Sequence, residues 1–174
     1  MYLRRLFIGA VCTFFAFDVT AGGDPDYVKY PKGYEESFTH YATMNRNGKE
    51  QVAKMYANEA AISSYGKDQK ASAGSVIVME VYKPKKDADG KAVDGSDGHY
   101  EIDKLAAVAV LERRDSWDDS YPADHRLDGW GFAIYKPDGS LKPNKLDCAG
   151  CHAALGDQDF LFTHQRLVDF VKSD

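Results

Sequence analysis

Two thiols and an imidazole stand together in Cys148-Ala149-Gly150-Cys151-His152. Thiols at this spacing add across the two vinyl groups of a haem, and the adjoining imidazole then ligates the iron. The other chemistries open to C-x-x-C need partners that are missing here. A structural zinc takes four protein ligands, usually with a second Cys or His pair, and no second pair exists at comparable spacing. A thioredoxin-type redox pair opens a helix after a strand in an α/β pattern, and the residues from Lys145 to Leu155 do not read that way. The remaining cysteine, Cys12, lies in an apolar N-terminal run. The spacing therefore predicts one covalently attached haem c per chain, with thioethers at Cys148 and Cys151 and His152 as proximal iron ligand.

That N-terminal run has the three parts of a secretory signal over residues 1–21: Arg4 and Arg5, an apolar stretch from Leu6 to Phe17, and small residues around Val19-Thr20-Ala21. The stretch is shorter than the roughly twenty residues needed to cross a bilayer. Cleavage after Ala21 is expected to leave a periplasmic or secreted bacterial protein with no stable membrane insertion. Residues 22–174 then form one cytochrome domain, long enough for a core without disulfides. The net charge of −5 becomes one unit more acidic when Arg4, Arg5 and Asp18 leave. An acidic excess argues against nucleic acid as a partner and is compatible with docking to a basic soluble redox partner.

The elements that must position the motif are mostly strands. Residues 22–33 read as an arm leading into the domain. Residues 37–44 alternate Phe38, His40, Ala42 and Met44 against Thr39, Tyr41 and Thr43, and 51–56 follow an Asn45-Arg46-Asn47-Gly48 turn, which predicts a hairpin. Asn58 is placed to cap a helix over 59–65. Strands are expected over 75–83, 105–112 and 130–135 from their β-branched and aromatic content, and hydrophilic loops over 84–98 and 115–128. A closing helix is expected over 159–171, because Phe160, Leu161, His164, Leu167, Val168 and Val171 recur at three- and four-residue spacings, with Asp157 as its candidate cap. The predicted class is α+β, mainly β: an antiparallel sheet with a few helices packed around one haem. No methionine follows His152, which separates the chain from small cytochromes with a downstream Met ligand, and the alternating strands separate it from four-helix cytochromes.

A C-terminal haem motif behind a strand-rich domain resembles the cytochrome P-460 family, which includes lysine-cross-linked P-460 enzymes and the gas-binding cytochromes c′-beta. Besides the motif, the resemblance rests on Tyr56-Ala57-Asn58, Gly74-Ser75-Val76-Ile77-Val78-Met79-Glu80-Val81, Gly129-Trp130-Gly131-Phe132 and Asp159-Phe160-Leu161-Phe162-Thr163. It implies that Met79 stands where the cross-linking members carry a lysine bonded to the haem ring. Methionine lacks that amine. Lys83, on the same face by the strand's two-residue period, is the alternative amine. The resemblance further implies that Ala109, or Val108 in an equally legal alignment, lies over the iron, and that Trp130 and Phe132 pack near the haem.

Function then depends on the distal side of the iron. Leu105, Ala107, Ala109 and Leu111 are expected on one strand face, with room at the alanines for a haem edge and an open apolar site for nitric oxide or hydroxylamine. Met79 as a sixth ligand would instead give an electron carrier. Hydroxylamine oxidation would need a distal base, and Glu112 becomes a catalytic candidate only if Val108 faces the haem. Asp87, Asp89, Asp94 and Asp97 lack the calcium-loop spacing and read as a solvated loop. His40, His99, His125 and His164 read as surface or hydrogen-bonded side chains, and an exposed strand edge is compatible with a homodimer.

Overall fold

The computed structural model describes residues 23–46 and 48–173. The expected leader over 1–21 and its cleavage point lie outside the described residues, as does Asn47 of the expected turn.

Four helices and six strands occur among the described residues: α1 (Tyr34–Ser37), β1 (Thr39–Asn45), β2 (Val52–Ala57), α2 (Glu59–Asp68), β3 (Val76–Pro84), β4 (Ile102–Arg113), β5 (Arg126–Leu127), β6 (Trp130–Tyr135), α3 (Cys148–Ala153) and α4 (His164–Ser173). All six strands join one antiparallel sheet in the order β1-β2-β3-β4-β6-β5. The architecture is the mainly-β α+β class that the strand pattern predicts. α2 begins where Asn58 caps it. The Asn58 side chain accepts from the Ala61 amide at 3.0 Å and the Val76 amide at 3.0 Å, and donates to the Gly74 carbonyl at 2.8 Å. One residue thus fixes the start of α2 against the start of β3.

The sheet separates two apolar clusters, one on each face. On the front, Met55, Ile77, Leu111, Trp130 and Phe132 pack against Tyr65 of α2, Ala149 of α3 and Leu167 and Val168 of α4. On the back, Val78, Val108, Val110 and Ala133 pack against Val28 and Tyr34 from the N-terminal arm and against Trp117 and Tyr121. Each fully buried Leu, Val or Phe here contributes roughly 1.5–3 kcal/mol of transfer free energy. The arm is threaded close to β6: Asp24 donates its amide to the Phe132 carbonyl at 2.8 Å. Gly23 is required beside it, because a Cβ there would lie 2.3 Å from that carbonyl oxygen.

Two bulges change which residues share a face. In β1 the register shifts between His40 and Ala42. Tyr41 turns into the front core and hydrogen-bonds the Thr163 hydroxyl at 2.7 Å, while His40 and Phe38 remain with the back-face tyrosines. The expected single face through Phe38, His40, Ala42 and Met44 is therefore split. In β4 the shift falls between Ala107 and Leu105, which pair with the consecutive residues Val81 and Tyr82. Ala106 is the extra residue, and Leu105 packs on the back rather than with Ala107.

The closing helix is also shorter than its periodicity suggests. α4 starts at His164, five residues late. Asp159 and Phe160 have φ of 49° and 60°, in the left-handed region, and Asp157 lies in a 3-10 turn over Gly156–Gln158 with no capping bond. The loop over 115–128 contributes buried Trp117 and Tyr121 to the core, and the aspartates of 84–98 close turns: Asp87 accepts from the Asp89 and Lys91 amides, and Asp97 from the His99 amide.

One buried carboxylate pins the back face. Glu80 is 4 % exposed and accepts the Tyr34 hydroxyl on one oxygen and the Tyr82 hydroxyl on the other, both at 2.9 Å. Tyr34 comes from α1, so this contact anchors the arm to β3. Glu80→Ala should leave two phenol donors without an acceptor and lower stability by about 2–3 kcal/mol, read as a shift in the urea midpoint.

Buried phenols also set an alkaline limit. Burial pushes the Tyr121 and Tyr135 hydroxyls up to about 12 and raises Tyr34, Tyr41 and Tyr65 further. Above about pH 10 the unfolded chain releases phenolic protons that the folded chain retains. The unfolded state then binds fewer protons and stability falls as pH rises. The urea midpoint should hold up to about pH 10 and drop steeply between about pH 10 and about pH 12.

Candidate haem site

The six residues of α3 carry the whole motif. Asp147 begins the helix, its carboxylate accepting the Gly150 amide at 2.8 Å while its carbonyl accepts the Cys151 amide at 3.1 Å. Residues three and four apart share a helix side, so Cys148, Cys151 and His152 are presented together. Both cysteines are free, Cys148 half-buried and Cys151 exposed. Burial, then the neighbouring Asp147 and Cys151, push the Cys148 thiol up to about 11, so it is protonated at neutral pH. A cavity of about 410 Å³ opens beside Cys148 and Ala149 and is also lined by Gly23, Asp124 and His125.

His152 is oriented by a bond from the following turn. Its Nδ1 lies 2.6 Å from the Phe160 carbonyl oxygen. A carbonyl only accepts, so Nδ1 carries the proton and Nε2 keeps the free lone pair. The ring is held between Phe132 and Phe162, each with its centroid 5.0 Å away. Burial lowers the His152 pKa, opposed in part by the Phe160 carbonyl. The result is a neutral imidazole with one nitrogen committed and one available, the state a metal ligand requires.

The front of the sheet beyond Phe132 presents a cross-strand row. Ala42 pairs with Met55, Met55 with Met79, Met79 with Ala109 and Ala109 with Ile134. Met79 and Cys148 pack against the same front cluster. Of the two alignments open in the sequence, the register selects Ala109 for this face. Val108 is fully buried in the back cluster. Glu112 follows Val108's side of β4, where Arg114 donates to it at 2.7 Å and stacks on Trp117 at 4.3 Å. That places Glu112 across the sheet from the Met79 row. Lys83 is exposed and pairs with Lys104 near the end of β3. Trp130 is on the front face but nearer Arg113, whose guanidinium lies 6.0 Å from its ring. The motif's pentapeptide, Met79, Ala109, Phe132 and Trp130 thus share one side of the sheet, and Glu112 does not.

Several contributors escaped the reading of the sequence. The Phe160 carbonyl is one, since a main-chain atom leaves no residue signature. Ile134 is another, although the period of β6 opposite Ala109 would have found it. Among the described residues, Leu141, Leu146 and Phe162 are the large hydrophobic side chains most open to solvent, at 45, 55 and 61 %. Leu146 precedes the motif, Phe162 stands edge-on to His152, and Leu141 is bridged to Tyr135 at the end of β6. Exposed Phe162 against a poised imidazole, and exposed Leu146 just before two free thiols, fit a flat apolar porphyrin, which would cover them. The donor set and the surface therefore suit haem, and His152 Nε2 is the atom that would face its iron.

The Cytochrome P460 family model matches residues 31–163. No curated protein matches the chain. With most of its length matched, the chain belongs to the Cytochrome P460 family, whose members are haem-binding cytochromes. Among the described residues, no helix is long and apolar enough to cross a membrane.

The Asp147 cap and Gly150 make a coupled pair, because a Cβ on Gly150 would fall 2.1 Å from an Asp147 carboxylate oxygen. Asp147→Ala should cost about 1 kcal/mol through loss of the cap. Gly150→Ala should be destabilising in the parent, where it displaces that carboxylate. In the Asp147→Ala background it should stabilise by up to about 1 kcal/mol through helix propensity. Urea titrations of the four proteins check the reversal of sign.

Proposed function

We propose that this member of the Cytochrome P460 family is an exported c-type cytochrome with one haem, attached through Cys148 and Cys151 and ligated by His152. It binds or redox-processes small nitrogen species, nitric oxide or hydroxylamine, at an apolar distal site. The observation carrying this reading is the row Ala42, Met55, Met79, Ala109 and Ile134: it holds no acid, base or amine.

When bound, haem would supply a redox-active iron able to take a small ligand. The chain's own residues determine what that ligand would meet. His152 would hold the iron through Nε2 and keeps its Nδ1 proton on the Phe160 carbonyl. Met79 and Ala109 offer an apolar wall that donates no proton. Hydroxylamine oxidation would benefit from a base that accepts protons from the substrate, and Glu112 is engaged by Arg114 on the opposite face. Met79 offers no amine for a lysine-type cross-link, and Lys83 is exposed at the strand end. These features favour ligand binding without a cross-link. Export is supported by the signal pattern over 1–21, and the acidic charge is compatible with a basic soluble redox partner.

A specific observation also favours a second reading, the His/Met electron carrier. Met79 is half-buried beside the small Ala109, and its thioether is flexible. Optical spectra of the exported, haem-loaded protein separate the two. Under the first reading the reduced haem is five-coordinate with an ordinary c-type main band, and nitric oxide shifts that spectrum. Met79→Leu leaves both properties intact. A long-wavelength main band in the parent would reveal a cross-link and overturn the apolar, amine-free site. A low-spin spectrum indifferent to nitric oxide, converted to high-spin by Met79→Leu, would establish the carrier instead.

A further inference from the structure

We infer that Asp159 is a positioning residue for the iron ligand, acting on His152 through the Phe160 carbonyl. The inference rests on the haem reading above. Asp159 and Phe160 are consecutive non-glycine residues in the left-handed region, with φ of 49° and 60°. Such backbone costs free energy and persists only where its surroundings over-determine it. Here they do. The Asp159 side chain is 3 % exposed, and its Oδ2 accepts both the Tyr65 hydroxyl and the Ala71 amide at 2.7 Å. Its Oδ1 lies 3.9 Å from an Arg113 nitrogen and has no hydrogen-bond partner among the described residues. The Phe160 amide is fastened to the Leu155 carbonyl at 2.8 Å. The next group in the chain is the Phe160 carbonyl, which accepts the His152 Nδ1 proton at 2.6 Å.

A buried carboxylate reaching α2 and the residues after it thus holds the turn that aims this carbonyl. The strength of the Nδ1–H···O bond sets how basic the imidazole is toward iron, and hence how far the ferric state is favoured. Arg113 is the charged group that faces Asp159 from the sheet, and Tyr65, itself packed edge-on against His164, faces it from α2.

The test uses haem-loaded protein whose haem content is checked as the pyridine haemochrome. Asp159→Ala should raise the midpoint potential and move the ferrous iron–histidine stretching band to lower frequency. Tyr65→Phe should move both in the same direction by less. Asp159→Asn, which keeps an acceptor oxygen, should restore values near the parent. Tyr34→Phe, on the opposite face of the sheet, should lower stability and leave potential and band in place. If Asp159→Ala does not fold, Tyr65→Phe decides. Loss of stability with unchanged potential and band in the Asp159 and Tyr65 variants would overturn the positioning role. A parent protein without haem would instead overturn the haem reading on which it rests.

Discussion

The two-residue period of β3 puts Met79 on one side of the sheet and Glu80 on the other, and a slip of one residue would exchange them. That exchange would bury a thioether among tyrosines and turn a carboxylate toward the motif. The register Met79↔Ala109 and Glu80↔Val108 therefore assigns the two faces their chemistry. The apolar side receives α2, α3 and α4. The side that carries Glu80 receives the N-terminal arm, whose Tyr34 finds Glu80 only in this register.

Both faces use the same device at the point where the chain must be held. Glu80 and Asp159 are buried carboxylates, and each takes a phenol donor from an element remote in sequence, Tyr34 and Tyr65 respectively. Buried charge is costly unless hydrogen-bonded, so each contact discriminates strongly against misplacement of the arm or the turn. Glu80 thereby locates α1. Asp159 locates the turn between α3 and α4, with Arg113 as its nearest cation. The apolar clusters supply the bulk of the stabilisation, and these two acids decide where the irregular segments sit.

The site itself joins a rigid platform to a short, capped helix. Phe132 reaches His152 from β6, and Phe160 and Phe162 approach it from the turn. An imidazole held from three directions has little freedom to rotate, and its tautomer is set by a carbonyl that cannot donate. The Met79 row adds volume and apolarity without reactive groups. Under the proposed function, small-ligand chemistry there would be governed by access and by the imidazole's basicity more than by protein acids and bases.

Much of this was readable from side-chain types alone. Alternation found the main strands, Asn58 announced α2, the motif identified its thiols and imidazole, and the period of β3 separated Met79 from Glu80. Those features follow from local chemistry and short-range spacing. The bulges at Tyr41 and Ala106, the delayed start of α4 and the choice of Ala109 over Val108 were not readable. Each depends on which distant group captures a residue. Thr163 takes Tyr41, the β3 partner fixes β4, and Tyr65 with the Ala71 amide claims Asp159 before it can join a helix. Periodicity encodes which residues want burial, whereas only tertiary packing decides which face and which partner receive them.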